Sequence, residues 1–145
     1  MAKLEKIKNI LSEKGLDALL VYDELNQRYL TDFAFSDGVV LLTHNHAELI
    51  TDFRYLEMAQ AKADKRFCVS APENRTEYIQ KIFEEDNVKN VGFEGGTLAY
   101  ASYLRLCQTF ADVSFIDAGG IIEELRQIKS HEEFQLLLLF HFLIQ

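Results

Sequence analysis

The residues that could do chemistry fall in a few short places. Asp52 and Arg54 stand two positions apart in LITDFRYLEMAQAKA, residues 49–63, where a strand pattern gives way to a helical one. A carboxylate and a guanidinium there could bind a substrate, but a helix start also needs an N-cap, so the pair reads as structural. His44 and His46 could offer two imidazoles to a metal ion. Metal sites need three or more convergent ligands, and with no third in sight the two read as a solvated turn. GFEGGT, residues 92–97, is the nearest approach to a phosphate loop. Neither G-x-x-x-x-G-K-[ST] nor G-x-G-x-x-G is present, and with Glu94 in the turn the segment reads as a plain tight connection. Acidic residues are numerous enough for a carboxylate pair, whose spacing only a structure gives. Cys68 and Cys107 belong to no ligand cluster and read as buried thiols. His131 and His141 are isolated, and H-E-x-x-H and G-x-S-x-G are absent. No residue is assigned to catalysis and none to a metal.

Those candidates need a scaffold, and 145 residues with 48% hydrophobic side chains suffice for one compact core. With 23 acidic against 15 basic residues the net charge is −8, which repels phosphate backbones and anionic headgroups. Nucleic acid and membrane are therefore excluded as expected partners. Lys3, Lys6, Lys8 and Lys14, interspersed with Glu5 and Glu13, make an ordinary solvated helix face. The start MAKLEKIKNI lacks an apolar signal-peptide core, which points to a cytoplasmic protein. LLLLFHFLIQ, residues 136–145, is apolar but shorter than the roughly 20 residues that span a bilayer.

Leu4, Ile7, Ile10 and Leu11 define a helix over 2–14 that Gly15 ends. DALLVYD, 17–23, is a strand buried on both faces and central to a sheet. ELNQRYLTDFAFSDG mixes aromatic and polar residues up to a turn at Ser36-Asp37-Gly38, and VVLLT and AELIT flank His44–His46 as a hairpin. Tyr55, Met58, Ala59 and Ala63 share one face of the next helix. RFCVS, NVGF and VSFID are strands, separated by helices at Tyr78–Phe83 and across LAYASYLRLCQTF. IIEELRQI is helical, and Ser130 with Glu133 forms a capping box that opens a last helix. Strands alternate with helices and one hairpin breaks the alternation. The fold class is α/β, a single domain with a mixed sheet flanked by helices.

NQRYLTDFAFSDGVVLLTHNHAELITDFRYLEMA, then VGFEGGTLAY, then DAGGIIEELRQIKSHEEF follow one another in an order that resembles the N-terminal domain of the creatinase, prolidase and aminopeptidase P family, bacterial Xaa-Pro dipeptidases above all. The likeness runs from Leu4 to Leu137. It implies a noncatalytic domain over residues 1–135, while the catalytic domain is absent and 136–145 is an apolar tail of uncertain origin. In that family a C-terminal domain hydrolyses the bond before proline with two divalent metal ions, manganese, zinc or cobalt, which activate a water. The resemblance thus implies no cofactor in this chain, with its own C-terminal catalytic domain, a second copy in a homodimer and short Xaa-Pro peptides as partners. By position it makes Phe33, Arg54 and Tyr55 candidates for site shaping or subunit contact, with Asp52 the structural junction. Core packing of Tyr29, Leu30 and Phe33 is the plainer reading of the aromatic segment. A free-standing α/β module that binds a small ligand at the carboxyl ends of its strands, near GFEGGT, is the alternative.

Overall fold

A computed structural model describes residues 3–144, apart from the side chains of 128–133. Twelve elements alternate along the chain: α1 (Lys3–Glu13), β1 (Ala18–Val21), α2 (Glu24–Thr31), β2 (Val39–Thr43), β3 (Ala47–Ile50), α3 (Phe53–Lys62), β4 (Cys68–Ser70), α4 (Arg75–Glu85), β5 (Asn90–Phe93), α5 (Tyr100–Thr109), β6 (Ser114–Asp117) and α6 (Ile121–Leu143). The strands form one six-stranded sheet in the order β4-β3-β2-β1-β5-β6. β2 runs antiparallel to both neighbours, and all other pairs are parallel. This is the mixed α/β sheet that the element order predicts, with helices on both faces.

The continuous apolar run in β1 follows from its place. Leu19 and Val21 point into one core with α1, α2, α3 and α6, while Ala18 and Leu20 point into a second with α4. Both faces are covered, so alternation has no polar half. Each of these leucines and valines removed from water contributes about 1.5–3 kcal/mol. β2 is buried along its whole length for the same reason.

Two glycines hold conformations that a side chain would oppose. Gly15 ends α1 at φ +70°, the left-handed turn that lets Leu16 N–H reach the Leu11 carbonyl at 2.8 Å. At Gly38 a Cβ would lie 2.7 Å from the Ile50 carbonyl oxygen and nearer still to the Phe35 ring, so the loop can pass the sheet there only without a side chain.

The structure departs from the sequence reading in four places. Residues 24–31, read as irregular, form α2, whose N-cap Asp23 accepts from Asn26 N–H. Its buried polar residues Asn26, Gln27 and Thr31 hide the apolar period by which an amphipathic helix is recognised. The helix expected to open at Ser130 does not: α6 runs unbroken from Ile121, so Ser130 lies in its interior. The side chains of Ser130, His131 and Glu133 lie outside the described residues. Cys68 is exposed and Cys107 half-buried rather than both buried, because Cys68 opens the three-residue edge strand β4 and Cys107 sits on α5, a helix with no buried residue. On α3, Ala59 and Ala63 are buried but Met58 is 54% exposed.

Candidate functional site

Every parallel strand ends at one edge of the sheet, and β2 begins there. That edge gathers Tyr22 and Asp23 after β1, Thr51 and Asp52 after β3, Glu94 after β5, and the loop Ser36–Gly38 before β2. Two polar clusters lie along it.

The first is exposed and contains the junction. Asp52 is the N-cap of α3 and accepts from Arg54 N–H at 2.9 Å. The Arg54 guanidinium turns back to Asp52 at 2.6 Å and reaches Asp37 at 3.1 Å. The Arg54 hydrogen bond holds the Asp52 carboxyl below its usual range. Tyr55 shares a hydrogen bond of 2.9 Å with Ser36, and its ring meets Phe35 edge-on at 6.5 Å. Phe35 in turn stacks on Phe33 at 6.0 Å. The structure therefore brings Phe33, Arg54 and Tyr55 together around one loop, residues 33–38, with Phe33 buried beneath it and Arg54 63% exposed above it. Gln27 fastens that loop to the sheet, donating from Nε2 to the carbonyls of Val21 at 2.9 Å and Gly38 at 3.0 Å. Phe53, 77% exposed, stands beside Arg54.

The second cluster is buried and centres on Glu94. Its carboxylate accepts from Asp23 N–H at 2.9 Å, from Asn26 Nδ2 at 2.6 Å and from Tyr22 N–H. Burial pushes the Glu94 pKa up, and these donors act against the rise. Asn26 also donates from Nδ2 to Glu123 at 2.9 Å and accepts from Arg126 at 3.0 Å, tying α2 and the β5 loop to the start of α6. The Asn26 hydrogen bond lowers the pKa of Glu123. The sequence reading takes Glu94 only as part of a tight connection and gives Asn26, Glu123 and Arg126 no role of their own. The available signal was Glu94 itself, a charge set among glycines directly after an apolar strand.

At the opposite edge His44–His46 form the hairpin turn. Asp86, at the end of α4, meets His46 Nδ1 at 2.6 Å and the Thr43 hydroxyl at 2.5 Å, so the turn is clamped rather than solvated throughout. Among the described residues no group of three or more His, Cys, Asp or Glu side chains is placed to hold a metal ion. No described helix is long and apolar enough to cross a membrane. A concavity of about 610 Å³ lies along Leu136–Leu143 of α6 and touches neither cluster. Bounded by a single helix, it is a surface rather than a site.

The profile of the creatinase/prolidase N-terminal domain family matches residues 3–128. The chain belongs to that family. This creatinase/prolidase N-terminal domain is 30% identical over 135 residues to the uncharacterized peptidase YqhT of Bacillus subtilis (strain 168), across 93% of the chain and 38% of that protein. Solved structures similar to it include two bacterial peptidases. The Xaa-Pro aminopeptidase from Streptococcus thermophilus superposes with a TM-score of 0.78 at 32% identity, covering 85% of this chain and 94% of that one. The Xaa-Pro dipeptidase from Bacillus anthracis gives 0.75 at 34% identity, covering 86% of this chain and 35% of that one. The domain thus spans little more than a third of the B. subtilis and B. anthracis proteins. Its homologues are peptidases, and it corresponds to their N-terminal part.

Proposed function

We propose that the chain is the noncatalytic N-terminal domain of a cytoplasmic, metal-dependent Xaa-Pro dipeptidase or aminopeptidase, in which it supports dimerisation and shapes the active site. The domain proper is 1–135, and 136–145 is a tail apart from it. A C-terminal domain would carry two divalent ions, manganese, zinc or cobalt, and hydrolyse short Xaa-Pro peptides. The carrying observation is the family match over 3–128 together with coverage of only 38% of a peptidase relative.

Within that reading the exposed cluster is the contact surface. Arg54 presents a guanidinium outward, Asp37 a carboxylate, and Phe53 an exposed ring, three chemistries that a neighbouring subunit or a peptide end can meet. Tyr55 and Phe33 hold the loop from behind, and Asp52 fixes the angle at which Arg54 leaves the sheet.

Sequencing the native transcript beyond the codon for Gln145 tests the assignment. An open frame of a few hundred residues carrying two Asp, one His and two Glu as metal ligands supports it, and an immediate stop removes it. In that full-length enzyme, Arg54→Ala is expected to lower kcat/KM on Xaa-Pro dipeptides about tenfold, the scale of one charge-assisted contact. An unchanged kcat/KM together with an unchanged dimer would remove Arg54 from the surface.

A further inference from the structure

β1 and β5 are adjacent and parallel, but the chain leaves them in opposite directions. From β1 it passes through α2 to β2 on one side, and from β5 through α5 to β6 on the other. Diverging connections leave a crevice beyond the carboxyl ends of two such strands, where open α/β sheets take ligands. In this protein the crevice opens into a cavity of about 260 Å³ bounded by Tyr22, by Thr76 of α4, and by Leu98, Ser102, Arg105 and Leu106 of α5 and the loop before it, with Phe110 at its base. It lies on the α4–α5 face of the sheet.

The lining mixes two kinds of group. Leu98, Leu106 and Phe110 are its apolar residues, and Tyr22, Thr76, Ser102, Arg105 and Thr109 its polar ones. Arg105 donates to Ser102 Oγ at 3.2 Å, and neither it nor Arg75, beside Thr76, forms an ion pair among the described residues. Arg105 is thus a cavity-lining guanidinium without an ion-pair partner, while Arg75 stands near enough to act on both Tyr22 and Asp52. Burial raises the Tyr22 phenol to about 12, against the pull of Arg75, so it remains a donor at neutral pH. Its backbone is anchored by the Glu94 carboxylate, which keeps this wall of the cavity in place before any ligand arrives.

We propose that this cavity binds a small carboxylic acid with an apolar body, of the size of an acylated amino acid. The carboxylate meets Arg105, Ser102 and Tyr22, and the apolar part lies against Leu98, Leu106 and Phe110. The volume falls just under the range of drug-sized sites, which suits a ligand of about a dozen heavy atoms. The apolar lining distinguishes it from a phosphate site, where a strongly hydrated anion gains nothing from leucine and phenylalanine.

The test is isothermal titration calorimetry of the whole chain, whose fold has been solved in a relative of nearly the same length. The probes are N-acetyl-L-leucine, its uncharged amide N-acetyl-L-leucinamide, and inorganic phosphate. Saturable binding of the acid at one site per chain is expected, with the amide weaker by about tenfold, the loss of one charge-assisted bond. Arg105→Gln, a change at an exposed position, should weaken the acid about as much while leaving Tm unchanged. The proposal is overturned if the acid shows no saturable heat, if acid and amide bind alike, or if Arg105→Gln binds as the parent does. Phosphate binding more tightly than the acid would likewise reject the apolar half of the assignment. None of these results depends on peptidase activity, so they leave the role as an N-terminal domain to its own test.

Discussion

The Asp37–Arg54–Asp52 and Asn26–Glu94–Glu123–Arg126 clusters stand on the same edge of one sheet and are built from the same kinds of group. Around Arg54 the charges are in water, where screening leaves an ion pair close to neutral in stability. Glu94 is 4% exposed, and its carboxylate gathers two partly buried backbone amides and the buried Asn26 side chain. Burial therefore separates two roles that residue identity does not. The sheltered cluster is architecture, and the exposed one keeps its charge available to a partner.

Substitutions can break this contrast, and the largest effect belongs to the buried carboxylate. Glu94→Ala leaves the Tyr22 and Asp23 amides without their acceptor and takes one of the Asn26 side chain's three hydrogen bonds, and should lower unfolding free energy in urea by about 3 kcal/mol. A loss below about 1 kcal/mol would place Glu94 with the surface charges instead. Asn26→Ala removes the bridge but leaves Glu94 its two backbone donors, so about 2 kcal/mol is expected in the same measurement. Asp86 is a case of middling burial. Burial pushes its carboxyl up, but bonds from Thr43, His46 and Asn45 outweigh it and hold the group below its usual range. A lowered folded pKa stabilises above the unfolded value of about 3.9, and that contribution disappears as pH falls through the folded value. The stability gap between the parent and Asp86→Asn, followed by urea midpoints from about pH 6 downward, should therefore narrow toward about pH 2. A gap that is constant across this window would deny the clamp. Smallest of all, Arg54→Ala should leave the urea midpoint where it was, since both its ion pairs are solvated. A clear loss would make Arg54 part of the scaffold.

Much of the fold was legible because its signals are local. The apolar run of β1, the Gly15 stop and the hairpin around His44–His46 each depend on residues within one element, and Asp52 could be read as a cap from its position before an apolar-periodic helix. α2 was not, because three of its buried positions, Asn26, Gln27 and Thr31, are polar: Asn26 and Gln27 bond groups outside the helix, and Thr31 bonds back to the Gln27 carbonyl. Asn26 meets Glu94 across 68 positions and Arg126 across 100, and no window of sequence carries such a pairing. The capping box at Ser130 failed for a related reason. The Ser-x-x-Glu pattern marks a helix start only where a helix is not already under way, and α6 begins nine positions earlier, at Ile121.

Helix α6 has 23 residues, and its first turns are held to the rest of the molecule by Asn26, through Glu123 and Arg126, and by the buried Leu125. From Arg126 onward, at about 1.5 Å per residue, it projects roughly 25 Å to Leu143, and a tilt of about 10° at its base carries the far end through about 4 Å. The same carboxylate, Glu94, anchors the wall of the cavity beside Tyr22 and one side of the amide that holds this base. The helix is in effect a pointer whose pivot is a hydrogen-bonded amide, and any strain set up at the pivot is read at its tip, magnified.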